Sequence, residues 1–311
     1  VPKKIIKSFF SNFVVFLCII VLNFFLLKLI PGGPFDQERA LPQEVLDVLN
    51  KKFRLDLSWY EQLFFYMKDL FTKLDFGPSI KFIGQNVSEI IADSLPVSLE
   101  LGFYALVISI FTGVSLGVLA AVNRGKFLDF FSMLIAIMGV SLPSFLVAAL
   151  AILFFSKYLG ILPAALWDSP MHKILPSIVL GLRPSALIAR MTRSSFLEVY
   201  HQDFVRTARA KGLQKKKVVF IHVLKNALIP IITILGPLAA TILTGSFIIE
   251  HIFSVPGLAS HFIDAVNNRD YPLVMGAVIT YAFFLLFFLS ITEMFYALAD
   301  PRMNDEKKMA D

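Results

Sequence analysis

The sequence predicts an all-α protein, a polytopic transmembrane helical bundle of six spans. Several apolar runs reach or exceed the roughly 20 residues a helix needs to cross a bilayer. Hydrophobic side chains make up 57% of the 311 residues, Phe alone occurs 32 times, and the mean hydropathy is +0.72. The cations gather in loops beside the apolar runs, following the positive-inside pattern. The net charge of +6 therefore reflects topology, with the lipid bilayer as partner and no nucleic acid. The single cysteine, Cys18, lies within the first apolar run, so no disulfide framework exists.

Lys3, Lys4 and Lys7 precede the first span, 9–30, and hold residues 1–8 on the cytoplasmic side. This run is too long for a signal-peptide core and no Ala-x-Ala site follows, so it reads as an uncleaved anchor. The chain begins at Val1, so a start further upstream or at an alternative codon is expected. Lys28 snorkels from the far end of the span. Residues 31–95 hold more acids than bases and are expected to form an extracytoplasmic helical cap. Within it Ser58 and Glu61 make a capping box. Tyr60, Leu63, Phe64, Met67, Leu70, Phe71 and Leu74 follow at helical spacing and read as a packing stripe.

The remaining spans form a core at 96–299. The second, 96–122, carries Gly113 and Gly117, four residues apart, which let another helix approach closely. Asn123-Arg124-Gly125-Lys126 is a basic turn and so lies inside. The third, 130–155, has Ser141-Leu142-Pro143-Ser144 at its middle. A proline there kinks the helix and frees carbonyls, making Ser141 and Pro143 pore candidates, with plain packing as the other reading. After an external loop bearing Trp167, the fourth span, 174–194, contains Arg183-Pro184. A charge inside a span faces the bundle interior or water, so Arg183 joins the pore candidates. The fifth, 228–249, adds Gly236 and Pro237, and the sixth, 275–297, leads to Asp300-Pro301-Arg302 and a cytoplasmic tail, 300–311.

Between the fourth and fifth spans, the cytoplasmic loop 195–228 is the most polar stretch of the core. Asp203 is a candidate N-cap, and Gly212 suits a left-handed helix end. The helix between them spans roughly 13 Å at about 1.5 Å per residue. On it Phe204, Ala208 and Lys211 share one face, and Arg206 and Arg209 another. A small apolar patch with basic flanks suits a groove of another protein; a solvated basic connection is the plain alternative.

The order of residues here is specific. Arg206-Thr207-Ala208-Arg209-Ala210-Lys211-Gly212-Leu213, followed by His222-Val223-Leu224-Lys225-Asn226-Ala227-Leu228-Ile229-Pro230, resembles the cytoplasmic loop of ABC-transporter permease subunits of the dipeptide/oligopeptide/nickel group. Arg206 stands where the general pattern has an acid, and Lys225 where it has a proline. Ile30-Pro31-Gly32-Gly33-Pro34-Phe35, Asp75-Phe76-Gly77-Pro78-Ser79, the stretch from Glu250 to Leu258 and Asn268-Arg269-Asp270-Tyr271-Pro272 resemble the same group. The resemblance implies a type I ABC importer (MetI-like) permease fold and half of a translocation pathway for di- or oligopeptides, with nickel or glutathione as alternative cargo. It implies a second homologous permease subunit, two cytoplasmic ATPases that hold the ATP and Mg, and an extracytoplasmic solute-binding protein. It assigns ATPase coupling to Asp203, Phe204, Arg206, Thr207, Ala208, Arg209, Ala210, Lys211, Gly212 and Leu213, and binding-protein docking to Glu250, Phe253, Pro256 and Gly257. The implied location is the bacterial cytoplasmic membrane, with both termini inside.

Other chemistry finds little support. No Gly-x-x-x-x-Gly-Lys-Ser/Thr occurs, so this chain has no P-loop of its own. The five histidines are scattered rather than set at metal-ligand spacing, and no resident metal or cofactor is expected. An ion-coupled secondary transporter would have only Arg183 and Glu100 as intramembrane charges. An intramembrane protease would rest on Ser246 and His251, outside any Gly-x-Ser-Gly context and without assured hydrogen-bond reach. A transport subunit, not an enzyme, is the reading that remains.

Overall fold

The computed structural model describes residues 2–30, 34–35, 42–243 and 245–299, with the backbone alone for residues 2–7, 215 and 295–299. Pro31, Gly32 and Gly33, the side chains of Lys3, Lys4 and Lys7, and the tail 300–311 lie outside the described residues. Among those described, the regular elements are helices, with one isolated bridge between Pro78 and Asn86. In chain order they are α1 (Pro2–Leu29), α2 (Gln43–Lys52), α3 (Trp59–Lys73), α4 (Val87–Val122), α5 (Phe127–Ser141) and α6 (Ser144–Ala151). A π-helical segment, Ile152–Tyr158, precedes α7 (Pro170–Tyr200), α8 (Asp203–Ala210) and α9 (Lys215–Lys217). A second π-helical segment, Val218–Val223, leads into α10 (Leu224–Ala227), followed by α11 (Ile229–Leu243), α12 (Phe247–Ile252), α13 (Leu258–Asn267) and α14 (Tyr271–Ala299).

Four of the described helices are long and apolar enough to cross a membrane, and the total is six if each of two bent pairs is one span. One pair differs from the expected kinked third span. α5 and the continuation from Ser144 to Tyr158 meet at 112°, a break between two helices rather than a proline kink. Leu142 is extended (φ −82°, ψ 134°) and Pro143 precedes the next helix; the residue before a proline is driven out of the helical region, so the helix stops there. The fifth span is also shifted. It runs from Val218 to Leu243 with a 48° bend, and Phe247–Ile252 forms a separate short helix.

The chain divides into two compact units, Val1–Ser98 with Pro256–Asp311, and Leu99–Val255. In the first, α1 and α14 run antiparallel. Ser8 donates to Glu293, Asn12 Nδ2 to Ser290 Oγ at 2.9 Å and Asn23 Nδ2 to Met275 Sδ at 3.2 Å. Between these polar pairs Ile20 and Phe24 pack on Met275 and Ile279. In the cap, the Glu61 carboxylate accepts from the Ser58 backbone N–H at 3.0 Å, closing the capping box. The bonds from Ser58 hold that carboxyl below the usual carboxylate range. The stripe on α3 splits: Leu63, Tyr66, Met67 and Leu70 pack inward, whereas Tyr60, Phe64 and Phe71 stay outside. Asp270 is fully buried. It accepts from Ser79 Oγ (2.5 Å), Lys81 N–H (3.0 Å) and Leu273 N–H (3.2 Å), fixing the turn after Asp75 to the start of α14.

In the second unit α7 is the central rod, and small residues let its neighbours reach its backbone. A Cβ at Gly113 would lie 2.7 Å from the Ser185 carbonyl oxygen, and one at Gly117 2.6 Å from that of Ala189. The pair therefore serves the close approach its spacing implies. α5 lies along α7 through Ala136, Ala186 and Ala189. At one end Asp129 accepts from Arg193 Nε (2.7 Å) and Nη2 (2.8 Å), and from the Gly125 N–H at 3.0 Å. Such a bidentate, hydrogen-bonded pair fixes orientation as well as attraction.

Candidate functional site: the coupling segment

α7 ends at Tyr200, and two residues later α8 begins. The N-cap is Gln202, with extended backbone, and Asp203 is the first helical residue, which corrects the expectation that Asp203 caps the helix. Its charge still favours the amino end of the helix dipole. Arg206 reaches it at 3.5 Å, and its carbonyl accepts from Thr207 Oγ1 at 3.0 Å.

The faces of α8 also differ from expectation. Ala208 does not share the outward face with Phe204 and Lys211; it is buried, together with Val205, in this chain's own core. That core comprises Phe196 and Val199 of α7, Val218, Val219 and Val223 of the π-helical segment, Ala227, and Ala121 of α4. Val205 is not among the residues expected at the site, because the expected apolar face runs through Phe204 and Ala208; the 205/208 spacing of two apolar residues on a basic helix is the signal that marks the inner face. Phe204, Thr207, Ala210, Lys211 and Leu213 are exposed. Arg209 is tied back to α7: its guanidinium carbon lies 3.9 Å from the centroid of the Tyr200 ring, and Nη2 donates to the Tyr200 carbonyl at 3.4 Å. Tyr200 in turn stacks on Phe196.

Gly212 takes φ +78°, and a Cβ there would meet nothing within 4 Å. The requirement for glycine is therefore set by the backbone turn, not by crowding. The chain reverses there and returns through α9 to the core that holds Val205 and Ala208. The arrangement is a short helix clamped on one side and exposed on the other, joined through two residues to the end of α7.

Of the pore candidates, Ser141 and Pro143 are exposed at the break between α5 and α6, Arg183 and Pro237 are exposed on α7 and α11, and Gly236 is half-buried. Arg183 makes no hydrogen bond or ion pair among the described residues. Of the docking candidates, only Pro256 is exposed. Glu250 and Phe253 are 0% and 1% exposed and Gly257 is buried, so these three are corrected to interior positions. The Phe253 carbonyl accepts from the Leu166 N–H at 2.8 Å, and the Val255 N–H donates to the Glu250 carbonyl at 2.8 Å. Apolar side chains at Phe253 and Val255 alternate with exposed Ser254 and Pro256, the pattern of a buried corner.

The profile of the binding-protein-dependent transport system inner membrane component family matches residues 113–305. The dipeptide transport system permease protein DppB of Bacillus subtilis is 45% identical over 98% of this chain and 99% of its own length. The oligopeptide transport system permease protein OppB of Haemophilus influenzae is 40% identical over 97% and 99%. Among solved structures, an amino acid ABC transporter with histidines matches with TM-score 0.53 at 18% identity, over 67% of this chain and 93% of that one. A methionine ABC transporter in an inward-facing conformation matches with TM-score 0.50 at 18% identity, over 66% and 96%. The likeness is of fold, and the fold is that of type I ABC importer permeases. The chain belongs to the binding-protein-dependent transport system inner membrane component family, as a membrane permease subunit and not an enzyme.

Proposed function

We propose that the chain forms half of the translocation pathway of an ATP-driven importer of di- and oligopeptides, and receives the motion of separate ATPase subunits through α8. The observation that carries the reading is the one-sided clamp of α8. Val205, Ala208 and Arg209 bind it to α7 and its surroundings, while Phe204, Thr207 and Lys211 remain for a partner. A displacement of α8 then moves α7, and with it Arg183, about 20 Å from the outer end at about 1.5 Å per residue. Alternation between outward- and inward-open states is a rigid-body change biased by ATP-driven closure of the ATPases. The peptide cargo is supported by the names of relatives that span nearly the whole chain. Arg183 offers a cation to a peptide carboxylate on that path.

In this reading residues 1–8 and 300–311 are cytoplasmic, residues 31–95 lie outside a bacterial inner membrane, and 96–299 form the core. A second permease completes the path, two ATPases carry ATP and Mg, and a solute-binding protein delivers cargo. α2, which buries none of its side chains and exposes Val45 and Val48, is the part of the cap offered to that protein. A cysteine at Gln43 should label with an impermeant maleimide in intact cells and one at Gln214 should not; the reverse pattern sinks the topology. Uptake by proteoliposomes holding the whole complex should be saturable for labelled peptides. Uptake of nickel or glutathione, with peptides inert, would overturn the cargo assignment.

A further inference from the structure

α3 has a second face that nothing among the described residues covers. Tyr60, Phe64 and Phe71, at i, i+4 and i+11, form a stripe that is 60%, 64% and 48% exposed. Glu61, Lys68 and Thr72, also exposed, run beside it. The outer surface of the helix is thus itself divided into an aromatic edge and a polar edge, while the opposite side is spent on the core with Ile20 and Phe24.

The aromatic edge continues onto the exposed apolar surface of α1. The ring of Trp59 lies 5.4 Å from that of Phe25 on α1 and 5.6 Å from that of Tyr60. Lys28 Nζ donates to Gln62 Oε1 at 2.6 Å, so the start of α3 is fastened beside the outer end of α1. Phe10, Val14, Leu22, Phe25 and Leu29 leave α1 with exposed apolar side chains along its length, and α1 is the least buried of the four uninterrupted spans. An exposed apolar row on a membrane span contacts acyl chains wherever the second permease does not cover it, and where that row ends the headgroups begin. Trp and Tyr, apolar rings with one polar edge, are favoured at that depth. A helix with an aromatic edge and a lysine-bearing polar edge suits the plane of the interface.

We propose that α3 is a lipid-interface helix, with its Trp59–Tyr60–Phe64–Phe71 edge seated in the outer leaflet beside α1. The cap is thereby anchored to the bilayer as well as to the bundle. "Outer" rests on the topology proposed above, which the maleimide labelling of Gln43 tests by itself; contact with lipid is read independently of leaflet. The chain has two tryptophans, so Trp167→Phe leaves Trp59 as the sole reporter. In the full-length chain reconstituted into bilayers, lipids brominated high on the acyl chains should quench Trp59 strongly, and lipids brominated near the chain ends less. A second reporter, Phe64→Trp with Trp59 and Trp167 both replaced by Phe, should follow the same order. Insensitivity of either reporter to both bromolipids, whether iodide in the water reaches it or protein shields it, overturns the proposal.

Discussion

α8 and the turn from Glu250 to Gly257 both carry strings that resemble the ABC-permease group, yet they direct their side chains oppositely. α8 buries only Val205 and Ala208 and leaves the rest outside. The turn buries Glu250, Phe253, Val255 and Gly257 and leaves His251, Ser254 and Pro256 exposed. A distinctive string can thus mark an interface or a corner that must fold one way, and burial separates the two. One leaves a surface exposed among the described residues; the other is part of what holds the fold.

The largest test of that contrast is Phe253→Ala. Removing a fully buried aromatic ring costs about 3–5 kcal/mol, so the variant should lose thermal stability and yield in detergent. A stable protein that fails only to bind the solute-binding protein would make the turn a docking surface after all. Gly212→Val comes next. A branched residue in the left-handed region costs roughly 1–2 kcal/mol. Nothing crowds the site, so the bundle should assemble while ATPase retention and transport fall; normal transport would mean the reversal at residue 212 is dispensable. Phe204→Ala should leave permease stability unchanged and reduce the ATPase subunits co-purified, since the side chain is 41% exposed and packs on no core of its own. A matching loss of permease stability would place Phe204 inward. Arg206→Ala should do least, because its contact with Asp203 is solvent-exposed and such pairs are worth roughly 0–1 kcal/mol. A large loss of ATPase binding would show that Arg206, not Phe204, anchors the contact.

Much of this architecture is legible in the residues alone. Apolar runs set the spans, Ser58 and Glu61 the start of α3, Gly212 the end of α8, and Gly113 and Gly117 the close packing on α7. What stays hidden depends on partners far apart in sequence. The polar pairs zipping α1 to α14, and Asp129 to Arg193, join residues whose registers no local pattern encodes. The break at Leu142–Pro143 is hidden for another reason: a proline in an apolar run permits a kink or a stop, and only neighbouring helices decide which. The inner face of α8 was obscured because Ala208 is small enough to suit either side. Val205, β-branched and apolar on an otherwise polar helix, is the residue that settles it.

The central claim is that α8 faces a partner with Phe204, Thr207 and Lys211 while Ala208 faces home. Replace Cys18 by Ser, so that no native cysteine remains in the chain, and place single cysteines at Thr207 or at Ala208. In the whole complex, a short thiol-reactive crosslinker should join Thr207→Cys to an ATPase subunit and leave Ala208→Cys unjoined. Crosslinking from Ala208→Cys with none from Thr207→Cys would reverse the helix and contradict the account.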